Sequence, residues 1–351
     1  LVAPLDWGLG HATRCIPLIN ALLNAKCEVI IAASGPGLFL LQNEFPKLQS
    51  LELKGYNVSY SKSKVLLPFK LLLQIPRIKK IIRYENEWLD LVIDEHKINL
   101  IISDNRFGLY TKRIPCAFIT HQLTIKAPIV FVERFLQKIN YNYINKFSHC
   151  WVPDFEGEEN IAGLLSHPSA MPNTPVSYIG PLSRFTKKNR EEIFDCCILL
   201  SGPEPQRTLL EKKILDNAGK TNATIVLLRG KPIDEEKIDA PKNVTVFNHL
   251  AGEALQDIIR QSSVVISRSG YTTVMELLAL QKKSILIATP GQTEQEYLAK
   301  RLMQQDWCYS VTQEAFDIVE ALKEAEQFNY KLPSFAQSSL DSFIRDFLNQ
   351  V

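Results

Sequence analysis

The chain lacks any apolar run approaching the roughly 18 residues a bilayer span requires, and it shows no basic-then-apolar leader ending in small residues. A cytoplasmic protein is the expectation. Paired thiols are missing too: the seven cysteines are scattered, odd in number and without C-x-x-C spacing, which excludes a zinc ribbon or dithiol redox site and reads as reduced, buried thiols. Excess charge is equally scarce. A formal net charge of +2 is too small for a whole-protein nucleic-acid binder, so no nucleic-acid partner is expected. No internal repeat or low-complexity tract is visible. Leu1 opens in strand-like sequence without Met, so a few residues are expected to precede it.

The 351 residues exceed what one core usually serves, and two domains of roughly 150–180 residues are the prior. Apolar strand-like runs alternate with helical patterns, which argues for parallel sheets covered on both faces. Strands are predicted at 1–5, 27–33, 48–53, 98–103, 115–120 and 149–153, then at 196–200, 223–229, 243–247, 263–266 and 284–288. The first helix is read from Ala12 to about Ala25, with Ile16, Ile19, Leu22 and Leu23 as its apolar stripe. Ser177 to Leu182 and the charged Lys187 to Glu192 read as a linker. The fold class is therefore α/β, with two Rossmann-like domains facing across a cleft. The boundaries are 1–182, 190–332, and a final amphipathic helix within 333–351 that packs back on the first domain.

Three strand-to-helix turns and two further strand ends carry the candidate chemistry. In Asp6-Trp7-Gly8-Leu9-Gly10-His11-Ala12-Thr13-Arg14, glycines at 8 and 10 permit positive φ and close backbone approach, and the following helix start favours an anion. Gly8, Gly10 and Arg14 form the candidate phosphate or acceptor loop. Ser267-Arg268-Ser269-Gly270 opens a helix in which Glu276 lies about one turn along, where a carboxylate can accept two hydrogen bonds from a ribose diol. Thr289-Pro290-Gly291-Gln292-Thr293-Glu294-Gln295 repeats that arrangement after the next strand. Such positions, at the carboxyl ends of strands, are where open α/β sheets hold ligands. Asp104 and His121 follow two strands of the first half. His121 is a second base candidate beside His11, and Asp104 can orient either imidazole or take the proton itself. Each has a plain structural alternative: a turn histidine bonded to backbone, an Asx turn, a solvated helix-start glutamate.

The segment Lys64 to Arg83 differs in kind. Ten leucine, phenylalanine and isoleucine side chains interleave with six basic residues and no acid. It reads equally as a basic amphipathic surface for an anionic membrane and as a core helix broken near Pro76.

Arg268 to Ala299 resembles the donor-binding segment of glycosyltransferase family 28, the family of the peptidoglycan N-acetylglucosaminyltransferase. Gly8-Leu9-Gly10-His11 is similar to that family's N-terminal Gly-rich loop, and Ile179-Gly180-Pro181-Leu182-Ser183-Arg184 to its interdomain segment. The resemblance implies a GT-B fold. It also implies that Glu276 binds the ribose hydroxyls, that Gln295 contacts the donor sugar, that Ser201 and Gly202 lie at the diphosphate, and that Arg184 is close to the nucleotide. With Arg268, Ser269, Gly270 and Gln292 these form the donor set, and His11 is the base or an acceptor-side residue. The chain departs from the family where Ser201-Gly202-Pro203-Glu204 replaces a G-G-S type turn, where Leu298 replaces the usual Asn, and where a second N-terminal Gly-rich loop is not evident.

The expected function is transfer of a hexose or N-acetylhexosamine from a nucleotide-diphosphate sugar, UDP-linked, to a hydroxyl acceptor, lipid-linked if 64–83 meets the inner face of the membrane. An inverting displacement needs a base for the acceptor proton and stabilisation of the leaving diphosphate. With no D-x-D-type pair evident on a loop, Arg268, Arg184 and helix N-termini are the candidates for the second task, and neither a metal nor a cofactor beyond the co-substrate is expected. A nucleotide-sugar epimerase of the same shape and a non-catalytic nucleotide-sugar binder are the alternatives. A dehydrogenase is disfavoured, because no acidic residue ends the strand at Ile31-Ala32-Ala33-Ser34.

Overall fold

The computed structural model describes residues 1–56, 67–127, 130–188, 190–231, 236–250, 252–334 and 340–351, and of 67–73 only the backbone. The chain divides into two compact units, Leu1–Arg184 with Ala336–Val351, and Phe185–Phe335.

The first unit runs β1 (Val2–Pro4), α1 (Leu9–Asn24), β2 (Ile30–Ala33), α2 (Gly35–Glu44), β3 (Gln49–Glu52), α3 (Leu67–His96), β4 (Ile101–Asp104), β5 (Cys116–Ile119), α4 (Val130–Ile144), β6 (His149–Val152) and β7 (Val176–Tyr178). Its strands form one parallel sheet in the order β3-β2-β1-β4-β5-β6-β7. Central strands such as Ile101–Asp104 and Cys116–Ile119 are buried along their whole length. They are continuous runs because helices cover both faces.

Three expectations need correction here. Helix α1 starts at Leu9, not Ala12, because Gly8 alone takes the left-handed conformation (φ 79°) and turns the chain straight into the helix; Gly10 is helical. Ser177 and Tyr178, at the start of the stretch read as linker, lie in a strand, Val176–Tyr178, paired with β6, and Ile179 and Leu182 beyond it are buried. Helix α3 continues through Pro76. Proline removes one backbone donor there, and Ile78, Ile81 and Ile82 hold the helix by packing with Leu5 and Tyr56. Ile78, Ile81 and Ile82 belong to the segment read as basic and amphipathic and turn inward, whereas Ile75 is exposed; residues 64–66 and the side chains of 67–73 lie outside the described residues.

The second unit runs β8 (Phe194–Leu199), α5 (Gln206–Ala218), β9 (Ile225–Leu228), β10 (Val244–Phe247), α6 (Gly252–Arg260), β11 (Ser262–Ser267), α7 (Tyr271–Ala279), β12 (Lys283–Leu286), α8 (Thr293–Gln304), β13 (Tyr309–Ser310) and α9 (Ile318–Gln327). Its sheet is again parallel, ordered β10-β9-β8-β11-β12-β13. The core on one side packs Ile198, Leu227, Ile266 and Ile285 against Leu210 and Ile214 of α5 and Ile318 of α9.

The last helix, α10 (Leu340–Leu348), belongs to the first unit. Phe343 and Phe347 meet the fully buried Trp151 edge-on, with ring centroids 5.2 and 4.8 Å away. Such aromatic pairs add roughly 0.5–1.5 kcal/mol each beyond burial.

Candidate functional site

Both sheets reverse their strand order once, between β1 and β4 in the first and between β8 and β11 in the second. Backbones diverge at such a reversal and leave a crevice beyond the strand carboxyl ends. The register puts Pro4 beside Asp104 in the first sheet and Leu199 beside Ser267 in the second. The loops that follow these residues are the ones the sequence singled out.

In the first unit, His11 and Arg14 are one helical turn apart on α1 and both reach Asp104. His11 Nδ1 lies 3.1 Å from Asp104 Oδ2, Arg14 Nε donates to the same oxygen at 2.7 Å, and Arg14 Nη2 donates to Oδ1. Arg14 Nη1 is 3.3 Å from His121 Nδ1, so both histidines meet on one guanidinium. Asp104 is fully buried. Burial alone would raise its pKa, but Arg14 and then His11 outweigh that and hold the carboxyl at about 2. Burial lowers the pKa of His11, with Asp104 opposing and Arg14 reinforcing the shift. The imidazole is therefore neutral at neutral pH. Arg14 Nη2 is 2.9 Å from the same His11 Nδ1, which accepts from it in one tautomer; in the other, Nδ1–H donates to Asp104 and Nε2 is left as an acceptor with no hydrogen-bond partner among the described residues. That is the geometry of an oriented general base.

The loop after β4 is pinned from its other side. Arg106 donates Nε–H to Glu85 Oε1 at 2.7 Å and Nη1–H to the Pro4 carbonyl at 3.2 Å; Tyr56 Oη and Gly108 N donate to Glu85 Oε2. Asn105, with φ 58°, is the pivot that sends Asp104 to one pair and Arg106 to the other. Arg14 is thus not a donor on the surface of the Gly-rich loop. It lies beneath that loop, 2% exposed, committed to Asp104.

In the second unit three loops converge. Gly202, following β8, has φ 99°; a methyl group there would lie 3.5 Å from Thr289 Oγ1 and 3.9 Å from Arg268 Nε. Arg268 is 1% exposed and spends Nη1 on the carbonyls of Ile287 and Ala288 and Nη2 on the Gln206 carbonyl and Gln313 Oε1. Its Nε and the Thr289 hydroxyl have no hydrogen-bond partner among the described residues. No carboxylate pairs with this cation there, and burial lowers its pKa to about 10, which leaves it charged at neutral pH. An unpaired buried cation beside two unused donors calls for an anion in the space above Gly202.

The remaining donor candidates divide by what they hold. Ser269 Oγ donates to the Gln295 carbonyl at 2.8 Å, fastening the head of α7 to α8. Gln295 Oε1 accepts from Thr289 N at 2.8 Å, and its Nε2 donates to Gln292 Oε1, so both glutamines brace the loop between β12 and α8. Gly270 is the N-cap of α7 at φ −68°, with open space where a Cβ would be. Glu276 is the sixth residue of α7 and largely buried. Ser201 is exposed beside Gly202, and Arg184 is the last residue of the first unit before its return as α10. Thr289, whose hydroxyl borders the space above Gly202, was not among the candidates, and its place at a strand end beside Pro290 and Gly291 is the one signal the sequence offers for it.

Residues 205–351 match the Glycosyltransferase family 28 C-terminal domain. An uncharacterized glycosyltransferase of Methanosarcina acetivorans is 24% identical over 318 residues, 82% of this chain and 79% of that protein. The UDP-N-acetylglucosamine--N-acetylmuramyl-(pentapeptide) pyrophosphoryl-undecaprenol N-acetylglucosamine transferase of Clostridium tetani is 24% identical over 304 residues, 79% and 74% of the two chains. The crystal structure of the glycosyltransferase SnogD from Streptomyces nogalater superposes with a TM-score of 0.59 at 13% identity, covering 100% of this chain and 98% of that one. That likeness concerns the fold, two Rossmann-like domains of the GT-B type. Residues 205–351 thus carry the family 28 C-terminal domain, and the chain is a glycosyltransferase.

Proposed function

We propose that the protein transfers a hexosyl or N-acetylhexosaminyl group from a UDP-linked sugar to a hydroxyl acceptor, with inversion and without a metal ion. The observation that carries this reading is the unpaired Arg268, whose free Nε–H and the Thr289 hydroxyl border the space above Gly202. A diphosphate supplies the charge and acceptor oxygens those groups lack. The N-terminus of α7 supports the same placement, since it has neither a side-chain cap nor an acid in its first turn, whereas α8 carries Glu294 and Glu296 there. Glu276 accepts hydrogen bonds from the ribose diol in this reading, and Gln292 and Gln295 keep the loop beneath the sugar in shape.

The acceptor oxygen attacks the anomeric carbon while His11 Nε2 takes its proton; the bond from that carbon to the diphosphate oxygen breaks, and the electron pair leaves with the nucleoside diphosphate. Asp104 orients His11 and balances the imidazolium as it forms. Arg268 and the α7 amides take up the charge developing on the leaving group. The name of the Clostridium tetani relative specifies a UDP-N-acetylglucosamine donor and an undecaprenol-linked acceptor, which supports a UDP donor and a lipid-linked acceptor.

Incubation with UDP-N-acetylglucosamine or UDP-glucose and a lipid extract tests the reading. The expected result is UDP release matched by a sugar-bearing lipid with inverted anomeric configuration by NMR. Isomerised donor without transfer would overturn it.

A further inference from the structure

We propose that Gln313 is a positioning residue for the donor diphosphate: its neutral amide oxygen aims the Arg268 guanidinium while leaving the positive charge to the ligand. The inference rests on the placement of the diphosphate proposed above. Six arginines among the described residues are buried, Arg14, Arg106, Arg207, Arg229, Arg260 and Arg268. Five of them meet a carboxylate: Arg14 meets Asp104, Arg106 meets Glu85, Arg207 and Arg229 share Glu211, and Arg260 meets Asp257. Arg268 differs. Its partners are neutral oxygens, the carbonyls of Ile287, Ala288 and Gln206 and the side-chain oxygen of Gln313, which is the nearest at 2.6 Å. Three of these are main-chain groups that any side chain would leave in place. Gln313 is where the residue type decides, because a glutamate has the same length and would pair the cation as the other five are paired.

The amide is held in one orientation. Its Nε2 donates to Gln206 Oε1 at 2.9 Å, which commits Oε1 to Arg268. Lys213 Nζ donates to the carbonyls of Gln313 at 3.0 Å and Glu314 at 2.6 Å, fixing the loop between β13 and α9 that carries the amide. With Nη1 and Nη2 both engaged, the planar guanidinium keeps Nε–H as its remaining donor, close to Gly202 and unpartnered like the Thr289 hydroxyl. An ionised side chain at 313 would give the cation a permanent partner and set a negative charge behind the phosphates. An apolar one would keep the charge and loosen its aim. The neutral amide avoids both.

Calorimetry of the whole chain with UDP, ligand-observed NMR with uridine, and thermal melting without ligand test the proposal on Gln313→Glu, Gln313→Met and Arg268→Ala. Gln313→Glu is expected to bind UDP at least about tenfold more weakly. It should bind uridine as wild type does, and melt at a higher temperature because a buried cation gains a partner. Gln313→Met should lose only about two- to fivefold in UDP affinity, with no gain in melting temperature. Stability and affinity moving in opposite directions is a pattern that damaged packing does not produce. Gln313→Glu overturns the role of Gln313 if it binds UDP as wild type does, loses uridine and UDP affinity alike, or melts below wild type. So does Gln313→Met weakening UDP as much as Gln313→Glu. Arg268→Ala separates the two readings. If it keeps wild-type UDP affinity, the diphosphate lies elsewhere and this proposal falls with that placement, whereas a loss there beside an unchanged Gln313→Glu removes Gln313 alone.

Discussion

His11 Nδ1 stands 3.1 Å from Asp104 Oδ2, although 93 positions separate the two residues in the chain. Arg14, one turn along the same helix, grips the carboxylate as well, so base, orienting acid and balancing cation form one connected group. Replacing His11 with Ala should lower kcat about 10²- to 10⁴-fold and leave UDP affinity unchanged in calorimetry. Because burial lowers the His11 pKa, kcat should already be flat at neutral pH and should fall only on acidification below the ordinary value of 6.5. A rate limb centred above that value would remove His11 as the base.

The same carboxylate governs acid stability. A group depressed in the folded state contributes stability that is present above its unfolded pKa and lost as pH falls through the folded one. For Asp104 that window runs from the ordinary 3.8 down to about 2. The contribution at neutral pH is about 2 kcal/mol. Urea unfolding of wild type between pH 6 and pH 2.5 should lose most of that increment, and Asp104→Asn should be less stable at pH 6 and flatter across the range.

Arg268→Ala should abolish the rise in melting temperature that UDP gives the wild type. Loss of a charge-assisted hydrogen bond to phosphate weakens binding by roughly 1.5–3 kcal/mol, more than tenfold in Kd. Equal stabilisation of both proteins by UDP would place the diphosphate elsewhere.

Gly202→Ala tests the same space from the opposite side. At φ 99° any side chain is strained, and its methyl would stand 3.5 Å from Thr289 Oγ1. The expected result is a stability loss of about 1 kcal/mol together with a much larger relative loss of UDP binding.

Glu276→Ala should weaken nucleoside diphosphate binding by roughly 1.5–3 kcal/mol per lost hydrogen bond, and weaken 2′-deoxy-UDP binding less. Calorimetry with both nucleotides separates ribose recognition from a loss of helix packing, which would affect the two alike.

The architecture was legible because it rests on local periodicity. Runs such as Ile101–Asp104 and Cys196–Leu200 can hardly be anything but strands buried on both faces, and their alternation with helices implies parallel sheets. Short elements escaped: Val176–Tyr178 sits between Pro175 and Gly180, and Tyr309–Ser310 is only two residues long, so neither shows a period. The site was legible as loops but not as partnerships. That Arg14 lies under its loop, and that Arg106 turns away from Asp104 to Glu85, follows from pairings many residues apart in the chain. The unused donors of Arg268 and Thr289 are properties of three loops brought together, which no single stretch of sequence displays.

Because α10 covers Trp151, the second unit is inserted between two parts of the first. On the ribosome the inserted unit is therefore complete before its host is. The host must wait with Trp151 uncovered until the final helix emerges, so a chain stopped after the inserted unit should display an apolar scar that invites chaperones.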